Sequence, residues 1–391
     1  MGESNRSRWL FVPEVTWGVT PATPTMETLL RTGGNLSGNR NTTVSKAVQS
    51  DRMRRKLYST GKDGKGSIEA ELAYGQLDTI IEHLMASSWS SAITGTVAVT
   101  FDTTADTINR AAGSFVSDGW LAGMHLYVGP EAADAANEGY CRITAVTATD
   151  LSVDKNLTTN AVPATVTLRN DGMIRNGTTA KSLSIEQGHL DQSHFYLFAG
   201  MRAGQGSLSM SSNGLVTFNA DFMGLYPTYA ATTAASVITA VNTNDAYNTG
   251  ADIDAIFEGG ATCTETLTAF DLTFTNNLRN RPQLRSEAPS GIAYGVQDVT
   301  GSLSYYMGSS HTLANKVLNF AESSAYVRLQ NLSSAGLDKT LIVTLPQFKY
   351  SGGVPPEAGQ LDGDVTMKMP FTAYSGGAAQ QLQFDRITPA A

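Results

Sequence analysis

Few residues of this 391-residue chain stand at spacings that could do chemistry, and each candidate fails on a specific ground. The stretch Gly61-Lys62-Asp63-Gly64-Lys65-Gly66-Ser67 comes nearest to a phosphate loop. Such a loop sets its lysine directly before the hydroxyl residue that holds magnesium and opens a helix; here Gly66 intervenes and an alternating strand pattern follows. The stretch reads instead as a flexible hairpin tip. His189 and His194 share neither a helical nor a strand face, and Asp191 between them cannot complete a ligand set, so both read as solvated turn residues. His83 reads as solvated on the polar side of a helix. Asp362-Gly363-Asp364 resembles the first half of a calcium loop but lacks the later ligands and the distal glutamate. Cys141 and Cys263 have no second cysteine or histidine at ligand spacing, which argues against a disulfide framework or a zinc site. With no nucleophile elbow and no dinucleotide fingerprint, the residues point to no enzyme, no metal and no cofactor.

The elements that would position any site are strands. The chain holds 37 glycines and many short Val/Ile/Leu/Phe/Tyr runs between Ser/Thr/Asn turns, a mainly β composition with ample apolar residues for real cores. No segment is apolar for the roughly 18 residues of a membrane helix, and the start has no signal-peptide core, so the expectation is a protein made and kept in cytosol. The net charge is −8, yet Ser50–Ser67, SDRMRRKLYSTGKDGKGS, carries six Lys and Arg against two Asp. From Asp221 to Asp271 the chain has seven acidic residues and no Lys or Arg. The basic stretch has Tyr58 as its single aromatic, whereas nucleic-acid sites add stacking aromatics in a positive domain, so an acidic protein face is the better partner.

Internal repetition organises the rest. Gly66–Tyr74, GSIEAELAY, and Gly301–Met307, GSLSYYM, open alike and alternate as half-buried strands. Each precedes a helical spacing: Leu77, Ile80, Ile81 and Leu84 in the first, Leu313, Val317 and Phe320 in the second. Basic segments precede both strands, Gln49–Leu57 and Thr275–Leu284. KSLSIE (Lys181–Glu186) and KTLIVT (Lys339–Thr344) follow the helices, and the hairpins return as GLVTFNADF (Gly214–Phe222) and GDVTMKMPF (Gly363–Phe371). The reading is two duplicated modules of packed antiparallel sheets, each flanked by one helix. The first spans 1–94 and 176–230 with an N-terminal arm, and the second spans 266–391. Residues 95–175, with short runs such as VAVTF and YCRITAV, read as an inserted small β-sandwich or barrel, and 231–265 as a linker.

These segments carry a family resemblance. EVTWGVTPATP (Glu14–Pro24), NLSGNRNTTVSK (Asn35–Lys46), SDRMRRKL, the GSIEAELAYG strand with its helix, and the second copy's APSGIAYG and VTGSLSYY resemble bacteriophage tail tube proteins over roughly residues 9–90 and 176–375. The resemblance implies stacked rings around a channel for DNA in a virion tail, assembled in the host bacterial cytoplasm. Its partners are the chain's own copies, other tail proteins such as tape measure, terminator and distal tail proteins, and double-stranded DNA passing without specific contact. It implies arms that reach the next ring, carrying Arg52, Arg54, Arg55, Lys56, Lys62 and Lys65 in the first module and Arg279, Arg281 and Arg285 in the second. Trp9, Phe11 and Trp17 form the N-terminal contact segment, and Asp252, Asp254, Glu258 and Glu265 the acidic partner surface or lumen. Two modules per chain imply trimeric rings with pseudo-sixfold symmetry. An exported adhesin or surface-layer subunit is the alternative reading.

Overall fold

The computed structural model describes all residues except 1–2, 4–5, 131–133, 309–310, 332–338, 356–362, 378–379 and 389–391. It is mainly β. The chain begins β1 (Ser7–Pro13), β2 (Thr25–Leu29), β3 (Gly33–Val44), β4 (Leu57–Glu71) and α1 (Asp78–Met85). Next come β5 (Ile93–Asp102), β6 (Thr107–Arg110), α2 (Phe115–Asp118), β7 (His125–Gly129), β8 (Gly139–Val146), β9 (Asp150–Val153) and β10 (Asn160–Asn170). The middle holds β11 (Gly172–Arg175), β12 (Leu183–His189), β13 (His194–Ser211), β14 (Thr217–Gly224), β15 (Thr228–Ala230), β16 (Val237–Thr239), β17 (Ile253–Glu258) and β18 (Ala261–Thr262). The last stretch is β19 (Leu267–Thr275), β20 (Arg279–Arg281), β21 (Gly291–Ala293), β22 (Asp298–Tyr306), α3 (Thr312–Leu318), β23 (Glu322–Asn331), β24 (Lys339–Tyr350), β25 (Thr366–Ala373) and β26 (Gln383–Ile387).

Antiparallel ladders order one sheet as β3-β4-β14-β13-β19-β22-β25. Its strands alternate, so one face carries Ile68, Phe218, Leu208, Leu272, Leu303 and Met369 into a common core while the other is mostly polar. Across that core lie two further ladders. β1, β12, β13 and β15 pair in that order in the N-terminal half, and β17, β23, β24 and β26 in the C-terminal half. β13 belongs to both layers, bending at the bulge between Ala203 and Gln205. Residues 231–265 therefore hold β16, β17 and β18, and β17 is a ladder partner of β23.

α1 forms where Leu77, Ile80, Ile81 and Leu84 recur at helical spacing; all four are at most 1% exposed, and Ala86 in the left-handed region ends the helix. His83 is buried, not solvated as its place in the pattern suggested. Its Nδ1 lies 2.6 Å from the Thr79 carbonyl oxygen and its Nε2 3.2 Å from that of Ser182, and burial holds its pKa down. α3 is more exposed: Leu313 is buried, but Phe320 lies past the helix end with φ +47° and is 62% exposed. The GKDGKGS stretch is no hairpin tip either, since it lies inside β4. Its glycines serve close approach: a Cβ at Gly66 would collide with the backbone carbonyl of Asn35 on β3.

β5 to β10 close into a six-stranded barrel around its own core of Phe101, Ile108, Phe115, Leu126, Ile143 and Val166. Although it interrupts the N-terminal half in sequence, it packs on the outer face of the C-terminal ladder. Tyr140 Oη meets Thr340 Oγ1 at 2.5 Å, His125 Nε2 meets Thr344 Oγ1 at 3.0 Å, and the His125 ring lies edge-on to Tyr326. At this seam Asp385 is fully enclosed. Gln383 Nε2 donates to it at 2.6 Å and Asn170 Nδ2 at 3.1 Å, yet burial pushes its pKa up to about 7. The layers thus run polar face, seven-stranded sheet, core, second ladder, barrel.

Candidate assembly surfaces

Three surfaces of the described chain hold the residues that the sequence singles out, or lie beside them. Among the described residues no group of His, Cys, Asp and Glu could hold a metal ion. Asp362, the first residue of the Asp-Gly-Asp stretch, lies outside the described residues.

The first surface is the polar face of the seven-stranded sheet. Asn35, Ser67, Asn219, Ser207, Ser209, Thr273, Ser302 and Thr372 carpet it. Its charged side chains are Glu69, Glu71, Asp221, Asp271 and Asp298 against Lys368, with Lys65 at the upper edge. Ser209 Oγ donates to Asp271 Oδ1 at 2.6 Å, and burial raises the Asp221 pKa. One flank of this sheet is open among the described residues, since β3 pairs only with β4; along the other, β24 pairs with β25 at Phe371–Ala373 and the Ser351 N–H donates to the Pro370 carbonyl at 2.8 Å. Sequence reading missed this face, although the alternation in Ser207–Ser211 and Thr273–Thr275 carried its signal.

The second surface is a pair of arms at one end of the sheet. The β3–β4 hairpin extends to a loop in which Arg52, Arg54, Arg55 and Lys56 are all exposed, with Arg52 at φ +60°. Lys62 and Lys65 lie in β4 itself, the latter 3.2 Å from Asp63. The β19–β22 connection forms the second arm, a small β20–β21 hairpin with Arg279, Arg281 and Arg285 exposed. The arms lean together: Lys62 N–H donates to the Glu287 carbonyl at 2.9 Å, Asn280 Nδ2 donates to Asp63 at 3.1 Å, and Arg40 pairs with Glu287 at 3.5 Å.

The third surface is the opposite end of the sheet. Asp252 accepts the Asn248 N–H at 2.7 Å beside the β13–β14 turn, and Glu265 precedes β19. Asp254 is ion-paired with Arg328, and Glu258 is buried, 2.5 Å from Lys316 Nζ. Of the aromatic residues of the N-terminal segment, Trp9 and Phe11 are 2% exposed and lie in the chain's own core, while Trp17 donates from Nε1 to the Gly200 carbonyl at 3.0 Å.

Among curated proteins none matches the chain. A family model described as phage tail tube protein matches residues 4–384.

Proposed function

The chain belongs to the phage tail tube protein family, and on that premise we propose that three copies close into a ring, that rings stack into a tail tube, and that the polar sheet face lines the channel through which DNA leaves. The observation that carries this reading is the strand order. β3-β4-β14-β13 in the N-terminal half and β19-β22-β25-β24 in the C-terminal half follow the same ladder sequence, joined edge to edge by β13 and β19. This supports two duplicated modules per chain. The free edge of β3 is an aggregation liability unless another copy covers it, and closure through a heterologous contact makes a ring.

Eight strand positions per chain give about twenty-four around three chains. At about 4.8 Å each, that is a circumference near 115 Å and a diameter of roughly 37 Å before tilt, wide enough for a duplex after side chains. A wall of hydroxyls with more carboxylates than lysines gives a polyanion nothing to bind, which suits passage over retention. The barrel, on the far side of the second ladder, projects outward. The arms, exposed at one end of the sheet, reach the next ring, and the subunit's role is structural rather than catalytic.

The test is the mass of an isolated ring together with electron microscopy. Three chains of 41.5 kDa are expected per ring, with hollow tubes in concentrated samples. Six chains per ring would overturn the two-module reading, and monomers at every concentration would overturn the tube.

A further inference from the structure

An apolar pocket of about 180 Å³ opens at the end of the sheet opposite the arms. Met210, Ile253, Ile256, Leu267 and Phe270 line it, with Ser212 among the polar residues at its lip. It sits where β13 ends and β19 begins, one length of β19 from the root of the second arm, or about 27 Å for a nine-residue strand. Asp252 stands between the lining residues Gly250 and Ile253, and Glu265 lies two residues before Leu267.

At the other end, the tip of the second arm holds up a leucine. Leu284 is 93% exposed in the sequence Arg281-Pro-Gln-Leu-Arg285, and neither flanking arginine has an ion pair among the described residues. An isolated surface leucine needs no explanation; one raised on an arm between two cations, on a chain whose opposite end offers an apolar pocket beside carboxylates, has a complement. The two features lie at opposite ends of one sheet, so one copy cannot bring them together. A second copy stacked in the same orientation can, and the contact then repeats without closing.

We propose that Leu284 of one copy seats in the Met210–Phe270 pocket of a copy in the adjacent ring, with Arg281 and Arg285 over Asp252 and Glu265. This rests on the stacked-ring reading and names its axial joint. The apolar insertion fixes the position of the arm, while the charges steer the approach and impose the head-to-tail sense.

Two variants test it, both at exposed positions and both checked for an unchanged melting temperature. In a Cys263→Ser background, which leaves only the buried Cys141, Leu284→Cys with Ser212→Cys is oxidised and run on a non-reducing gel. Assembled tubes should give a ladder of linked chains, and either cysteine alone should not. Leu284→Asp should raise the concentration needed for tubes at least tenfold while leaving rings intact. Tubes from Leu284→Asp at the wild-type concentration, with no ladder from the cysteine pair, would place the joint elsewhere and leave the tail tube reading standing. Wild-type protein that never forms rings or tubes would sink both.

Discussion

The two halves of the chain share a strand order but spend one strand differently. In the N-terminal half, β13 runs for 18 residues, His194–Ser211, through both layers, and its second part pairs with β19 from Gln205–Thr275 to Ser211–Ala269. In the C-terminal half, β24 holds the same ladder place but ends at Tyr350 after 12 residues, and beyond it the Ser351 N–H adds one bond to the Pro370 carbonyl of β25. The first strand pairs with β14 from Arg202–Met223 to Ser209–Thr217; the second pairs with β25 only over Phe348–Tyr350, a shorter ladder among the described residues. Under the proposed assembly, the internal β13–β19 seam is the pattern for the joint between chains. The helices differ in the same sense, α1 being enclosed while α3 buries Leu313 alone.

The sharpest way to break the comparison is at paired glycines. Gly66 within β4 and Gly301 within β22 begin the matching GSI and GSL segments, and a Cβ at either would collide with a backbone carbonyl across the ladder, Asn35 for one and Asp271 for the other. Backbone cannot yield as a flexible side chain can. Gly66→Ala and Gly301→Ala should each destabilise the chain by about 3 kcal/mol or more, among the largest single-site effects here. Denaturant unfolding measures this. A loss at one position and not at the other would show that the two ladders are not equivalent at this point.

What was legible in sequence follows from period. Alternation over Gly66–Tyr74 and Gly301–Met307, the spacing of Leu77 to Leu84, and the turn-rich runs of the barrel each reflect a local rule, and each element is present. What failed depended on tertiary contact. KSLSIE lies in β12 while KTLIVT lies in β24, so their match is displaced by one strand; the ladder counterpart of β12 is β23, which follows α3 directly with no inserted barrel. His83 looked solvated because helical phase cannot reveal that the Ser182 backbone covers that side. Glycines in GKDGKGS suggested a loop because their use, close approach of a neighbouring strand, is invisible without the neighbour. The apolar pocket joins residues of β13, β17 and β19, which no window contains.

The barrel sharpens the comparison in another way, since it docks on the C-terminal ladder through His125 and Tyr140. Asp385 in its seam has a folded pKa of about 7 against about 3.9 for an unfolded aspartate. Between those values the folded state holds the extra proton, so this group's contribution to stability is greatest at low pH and is lost as pH rises toward 7. His125 acts oppositely: burial holds its pKa well below 6.5, so it costs stability as pH falls below that value. Comparing wild type with Asp385→Asn isolates the aspartate. The stability of the variant relative to wild type should improve by on the order of 2 kcal/mol from pH 5 to pH 8, read from thermal unfolding at both. A constant difference across that range would mean that Asp385 titrates as an ordinary carboxylate.

The smallest effect is expected where the two arms meet, and its size distinguishes how they are held. Arg40 and Glu287 form an ion pair at 3.5 Å with side chains 48% and 38% exposed, a geometry that contributes about 0.5 kcal/mol or less. The Lys62 N–H bond to the Glu287 carbonyl and the Asn280 bond to the Asp63 side chain do not need the glutamate charge. Glu287→Gln should therefore change unfolding free energy by under about 0.5 kcal/mol, whereas Asn280→Ala, which removes a donor from the buried Asp63, should cost about 1–2 kcal/mol. If raising the salt from 0.05 to 0.5 M removed as much stability as Asn280→Ala does, charge rather than backbone would be holding the first arm against the second. The arms would then swing freely in concentrated salt, and a ring would lose the fixed angle at which they are presented to its neighbour.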